Sequence, residues 1–264
     1  MSDIEEEREE ETISYIEYKS KFKTGDLLLF GGDSLFSAAV KMATLSSISH
    51  IGMVFRFEEP FLVQRENERY RAELIQAKDN LYFWHSQLTE FENTADIFSG
   101  EPKTGVQLNY LSSVIDEFDD NVVRWRPLVR EVPTCDHHLI EWLKKQAKKP
   151  YEKNCGDLMY SVLSKWCYIE PPRHTDNSYF CSELMIRTYQ RLKLIHSRSQ
   201  EEVVVPSHYV PQDFMPGGEV DDLVTGLDNS LDDKVYKLDF SLPTTTAAKS
   251  GSWIWKALFS PKKS

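Results

Sequence analysis

Apolar positions first gather at residues 27–30, "LLLF", after a Gly-Asp turn, and predict a short strand ending at a Gly-Gly turn. An amphipathic pattern over residues 34–43 then predicts a helix, and "IGMVFRF", residues 51–57, predicts a second strand. The intervening residues 61–71 are mostly polar and follow Pro60, so "RAELIQA" is expected to be its antiparallel partner in a hairpin. "GVQLNYLSSVIDEF" predicts a strand followed by a short helix, and "NVVRWRPLV" a strand turning Val123, Trp125 and Leu128 inward. "HHLIEWLKKQAKK" places Leu139, Ile140, Leu143 and Ala147 on one helical face and stops at Pro150. The helix expected to begin at Cys181 gathers Leu184, Met185, Thr188 and Leu192 on one side. Strands and helices mixed in this way predict an α+β fold.

Composition narrows the class. In 264 residues, 41% are apolar and 12% aromatic, enough for a substantial core. A formal net charge of -11 argues against a sequence-independent grip on nucleic acid, which needs a basic face. The start "MSDIEEEREEE" has the character of a solvated acidic arm, not of a secretory signal. No apolar stretch reaches the roughly 18 residues of a membrane span, so the expected location is cytoplasmic. The cysteines Cys135, Cys155, Cys167 and Cys181 lack CxxC spacing and read as free thiols, with no metal or cofactor expected. The adjacent His137 and His138 point to different helix faces, which makes a poor metal site. Three regions follow: an acidic arm over 1–22 with a helical turn near Ile13 to Tyr18, a domain over 23–216, and a linker with an aromatic and basic segment over 217–264.

Chemistry concentrates at Cys181 and His50. A thiol at a helix start meets unpaired N–H groups and the positive end of the helix dipole, which favour a thiolate and offer donors to an oxyanion. No neighbour of Cys181 supplies a base, and His174 sits in a loop expected to face water. His50, at the start of a strand, is the better candidate, because sheet pairing would hold its ring rigidly.

"TGDLLLFGG", "SHIGMV", "ELIQA", "KPYEKNCGDLMY" and "YFCSELM", in this order, resemble the circularly permuted papain-like thiol hydrolases. These are NlpC-like proteins; the match is to the YiiX-like branch, and lecithin:retinol acyltransferase belongs to the same permuted group. The resemblance covers roughly residues 22–215. It implies an antiparallel sheet or half-barrel packed against the cysteine helix, Cys181 as nucleophile, His50 as base, and a close approach beside His50 at Gly52. The family's third polar residue orients the histidine from a neighbouring strand. The resemblance puts Gln76 there, with Glu73 as the alternative on the opposite face of that strand. Ser182 belongs to the helix-start motif, and Tyr151 resembles a tyrosine that assists the oxyanion. Asp26 reads as closing the turn before the first strand.

The expected activity is that of a cysteine hydrolase or acyltransferase cutting an amide or ester bond through a thioester, on a lipid acyl or peptide substrate. Two alternatives stay open: a papain-like binding module with little or no turnover, and a permuted protease acting on a ubiquitin-like conjugate. The C-terminal "WIWKALF" offers Trp253, Ile254, Trp255, Leu258 and Phe259 for peripheral membrane contact, for docking onto the domain, or for completing the core.

Overall fold

Apolar runs bounded by turns become central strands buried on both faces. The computed structural model describes residues 10–31, 47–64, 72–75, 80–117, 122–132, 137–152, 178–195, 204–224 and 230–241. The expected helix at 34–43, Gln76, the cysteines other than Cys181, and the C-terminal aromatic segment lie outside these residues. The fold is α+β, with one mostly antiparallel sheet.

In chain order the strands are β1 (Glu11–Ser14), β2 (Leu27–Gly31), β3 (His50–Phe55), β4 (Phe61–Gln64), β5 (Ala72–Ile75), β6 (Tyr82–Gln87), β7 (Gly105–Tyr110), β8 (Val122–Arg126) and β9 (Tyr236–Asp239). Seven form the main sheet in the order β1-β9-β8-β2-β3-β6-β7, and all its pairs are antiparallel except β1 with β9. The helices are α1 (Tyr15–Tyr18), α2 (Leu111–Glu117), α3 (His137–Gln146), α4 (Cys181–Arg191) and α5 (Glu219–Leu223).

Strand alternation divides the core between the two faces of the sheet. On one face Leu27, Leu29, Ile51, Met53, Trp84 and Leu108 meet Leu139 and Leu143 of α3 and Leu184, Met185 and Ile186 of α4. On the other, Leu28, Phe30, Val54, Phe83 and Trp125 meet Val114 of α2, together with Ile13 and Phe22.

Two expectations are corrected. "AELI" does not pair with β3: β5 pairs with β4 in a separate two-stranded sheet, with Phe61 opposite Ile75. The main-sheet neighbours of β3 are β2 and β6. The periodicity of "RAELIQA" gave it a strand but not a partner, and the nearer strand at Phe61 closes a shorter loop. The sheet also runs beyond the limits expected for the domain, since β1 comes from the N-terminal arm and β9 from the linker.

Asp26 does close the turn before β2. It accepts N–H bonds from Lys23 at 3.1 Å and Leu128 at 2.9 Å, and from the Trp125 indole at 2.9 Å.

Candidate active site

The apolar side of α4 holds the helix to the sheet, since each buried Leu, Ile or Met contributes about 1.5–3 kcal/mol. Three hydrogen bonds, each contributing about 1 kcal/mol net, select its register. The Ser86 hydroxyl donates to Tyr179 O at 2.8 Å, the Trp84 indole to Thr188 Oγ1 at 3.1 Å, and the Tyr189 hydroxyl to Gly25 O at 2.9 Å. Together they fix where the first residue of the helix, Cys181, meets β3.

Phe180 precedes the helix with extended backbone, and no side chain among the described residues caps the first turn. The thiol faces that donor capacity: the backbone N–H groups of Ile51, Ser182 and Cys181 itself favour its charged form. The Ile51 N–H belongs to the peptide that joins it to His50, so the group that acts on the sulfur from β3 is next in the chain to the expected base. Burial nevertheless pushes the thiol up to about 11, and these donors only oppose it. The expected low-pKa thiolate is therefore corrected: at rest Cys181 is a neutral thiol, 5% exposed.

His50 opens β3. Its Nε2 lies 3.0 Å from Nδ1 of His85 on β6, and His85 Nε2 lies 2.9 Å from Oδ1 of Asn109 on β7. Three adjacent strands thus carry a polar row. His85 and Asn109 are fully buried, so every donor in the row must find an acceptor.

That requirement fixes the protons. The Asn109 amide donates to Ala95 O at 3.0 Å and to Gln107 Oε1 at 3.1 Å. Gln107 in turn donates to Lys103 O at 3.1 Å. Asn109 Oδ1 is therefore left as an acceptor, and His85 carries its proton on Nε2. Neutral His85 then offers a lone pair at Nδ1, to which His50 donates from Nε2. A neutral His50 must hold its own lone pair on Nδ1. Burial pushes His50 down to about 4, and burial, followed by the neighbouring His50, pushes His85 well below its ordinary value. Both rings are neutral at pH 7.

Packing keeps the rings in place. Phe83 stands with its ring centre 4.7 Å from that of His85 and 6.4 Å from that of His50, and Phe30 lies 5.7 Å from His50. Gly52, two residues beyond His50 on the same face and opposite His85, makes room: a Cβ there would lie 2.2 Å from the Phe83 ring.

The other expected residues are placed as follows. Glu73 lies on β5, in the two-stranded sheet, away from the ladder that flanks His50. The residue bonded to His50 from the neighbouring strand is His85, which the sequence reading missed. The available signal was the histidine and serine ending the apolar run "LYFW", but nothing in one sequence says which strand lies beside β3. Ser182 is buried and meets the sulfur through its backbone N–H. Tyr151 stands edge-on to Phe180, with ring centres 5.8 Å apart, and bridges Tyr179 through its backbone.

No group of three or more His, Cys, Asp or Glu among the described residues is placed to hold a metal ion. No described helix is long and apolar enough to cross a membrane. No protein-family model matches the chain, and no curated protein matches it. A solved structure, the metalloprotein YiiX of Escherichia coli O157:H7, described as DUF1105, aligns over 84% of this chain and 99% of its own, at 16% identity and a TM-score of 0.34.

Proposed function

We propose that this protein is a cysteine hydrolase or acyltransferase of permuted papain-like design, acting on an ester or amide. The observation that carries the reading is Cys181 at the start of α4, its thiol influenced by the N–H of the peptide that follows His50, while Nε2 of His50 is held by His85, which is held in turn by Asn109.

The chemistry runs from a neutral pair. His50 Nδ1 takes the thiol proton as the sulfur attacks the carbonyl carbon, so charge separates only once attack begins. The oxyanion forms against the N–H groups of the first turn of α4. Collapse expels the alcohol or amine, which takes the proton from His50 and leaves a thioester. Water or an acceptor alcohol or amine then attacks, again giving its proton to His50, and the acid or new ester or amide departs from the restored thiol. His85 keeps the His50 lone pair on Nδ1 and accepts from its Nε2–H when the ring becomes cationic.

Turnover of fluorogenic acyl esters, with mass spectrometry of the quenched enzyme, tests this. The expected result is a thioester on Cys181, no turnover by Cys181→Ser, and a loss of about 100-fold or more in His50→Ala. Acylation of another residue, or unchanged rates in His50→Ala, overturns it. The raised thiol pKa favours a second reading, a binding module without turnover. That reading predicts no covalent adduct with any ester or amide tried.

A further inference from the structure

We infer that Gln87 orients the nucleophile that attacks the thioester, and that it favours water over an alcohol. The inference rests on the proposed function and chooses between its two outcomes, hydrolysis and transfer.

The main sheet forks at the site. β3 keeps its pairing with β2 as far as His50, opposite Phe30, and β6 keeps its pairing with β7 as far as Gln87, opposite Gly105. Between β3 and β6 the ladder stops earlier, at Gly52 and His85. Val54 gives its N–H to Asp26 O on the β2 side, so alternation turns the N–H groups of Met53 and Ile51 toward β6. The Ile51 N–H thus opens into the fork, and it is a group that acts on the Cys181 sulfur. From the α4 side, the Ser86 hydroxyl ties Tyr179, two residues before Cys181, to the β6 prong. The fork therefore lies where the thiol meets the sheet.

Gln87 stands across that fork from the base. Extending the register of Gly52 with His85 by two residues sets His50 opposite Gln87, on the same face of the sheet. Gln87 is 5% exposed, and its Nε2 donates to Thr89 O at 2.6 Å, which fixes which end of the amide is the acceptor. That acceptor, Oε1, is buried and has no hydrogen-bond partner in the protein. The other polar groups of this face spend their capacity on one another: His85 on Asn109, Asn109 on Gln107, and Gln107 on Lys103 O. A buried acceptor left unpaired is costly, and a small donor such as water relieves it.

A water between His50 and Gln87 has a proton for each. As its oxygen attacks the thioester carbon, one O–H proton passes to His50 Nδ1 and the other stays bonded to Gln87 Oε1. The tetrahedral intermediate then collapses: the carbon–sulfur bond breaks, the sulfur recovers the proton from His50, and the acid leaves. An alcohol has a single O–H proton, which goes to His50, so its carbon would face the Gln87 oxygen and leave it unpaired. Water is the better nucleophile here for that reason.

The test follows the full chain on a fluorogenic acyl ester with ethanol added, reading the leaving-group burst, the acid and the ethyl ester. Molecule for molecule of nucleophile, the parent is expected to favour water by about ten-fold or more. Gln87→Met, similar in length and without the acceptor, should raise the ratio of ethyl ester to acid by about ten-fold, with the burst unchanged and the protein melting as the parent does. An unchanged ratio in that variant, or an equal slowing of burst and turnover, would mark a structural role and overturns the inference. The parent decides the matter even where the variant does not fold: ethyl ester formed as readily as acid, molecule for molecule, also overturns it. A thioester on Cys181 with either of these results sinks this inference alone. No burst and no thioester in the parent sinks the enzyme reading, and this inference with it.

Discussion

His50 titrates where its neighbours put it. Buried, with Phe30 and Phe83 against it, the ring resists protonation and its pKa falls to about 4. A general base is lost as it protonates, so kcat/KM is expected to hold down to about pH 5 and fall through about pH 4, rather than near 6.5. His85→Ala should lower kcat/KM on the order of 10–100-fold and move the acid limb upward, because water would enter beside His50. A role confined to structure would change the melting temperature without moving that limb. At this scale the sequence was legible where chemistry is local: Cys181 at a helix start and His50 at a strand start both stand as read. The thiol pKa was not legible, because the burial that raises it comes from side chains distant in sequence.

Among elements, β3 is the strand on which most depends. It pairs with β2 and β6, acts on the sulfur through the N–H of its first peptide, and carries Gly52 beneath the Phe83 ring. Gly52→Ala would force a methyl group into that ring and should cost about 1–3 kcal/mol. Chemical denaturation is expected to register this loss, with a larger loss of activity, since Phe83 also packs on His85. A fully stable Gly52→Ala protein would show that the ring can retreat and that the glycine is incidental. Most strand and helix positions could be read from periodicity, as the five elements from β7 to α4 illustrate. Pairing could not: β6 is buried on both faces and has no alternation to mark it, so the residue beside His50 stayed hidden behind the better patterned "ELIQA".

Over the whole molecule, buried ionisable groups act together. His50 and His85 have lowered values in the fold, so the unfolded chain binds more protons, and their contribution to stability is whole above about pH 6.5 and is lost as pH falls through the lowered values, about 4 for His50. Asp26 works the other way: burial raises it to about 6, so its contribution is present below about pH 3.8 and is lost as pH rises through about 6. Two imidazoles outweigh one carboxyl, and the melting temperature is expected to be lower at pH 5 than at pH 7. Asp26→Asn removes the opposing group and should steepen that fall; a flatter profile would contradict the assignment. The polar ends of the chain were read as an arm and a linker because charge and proline dominate their composition. The structure instead buries Ile13, Phe22 and Leu238 together on one face of the sheet.

The edge pairing of β1 with β9 joins residues more than two hundred positions apart, and among the described residues β1 has no other partner in the main sheet. On a ribosome, β1 would wait without this partner until β9, whose Tyr236 pairs with Glu11, had emerged. Closing that edge is therefore expected to be the last step of assembly, and until then the exposed side of Glu11–Ser14 is open to pairing with another chain.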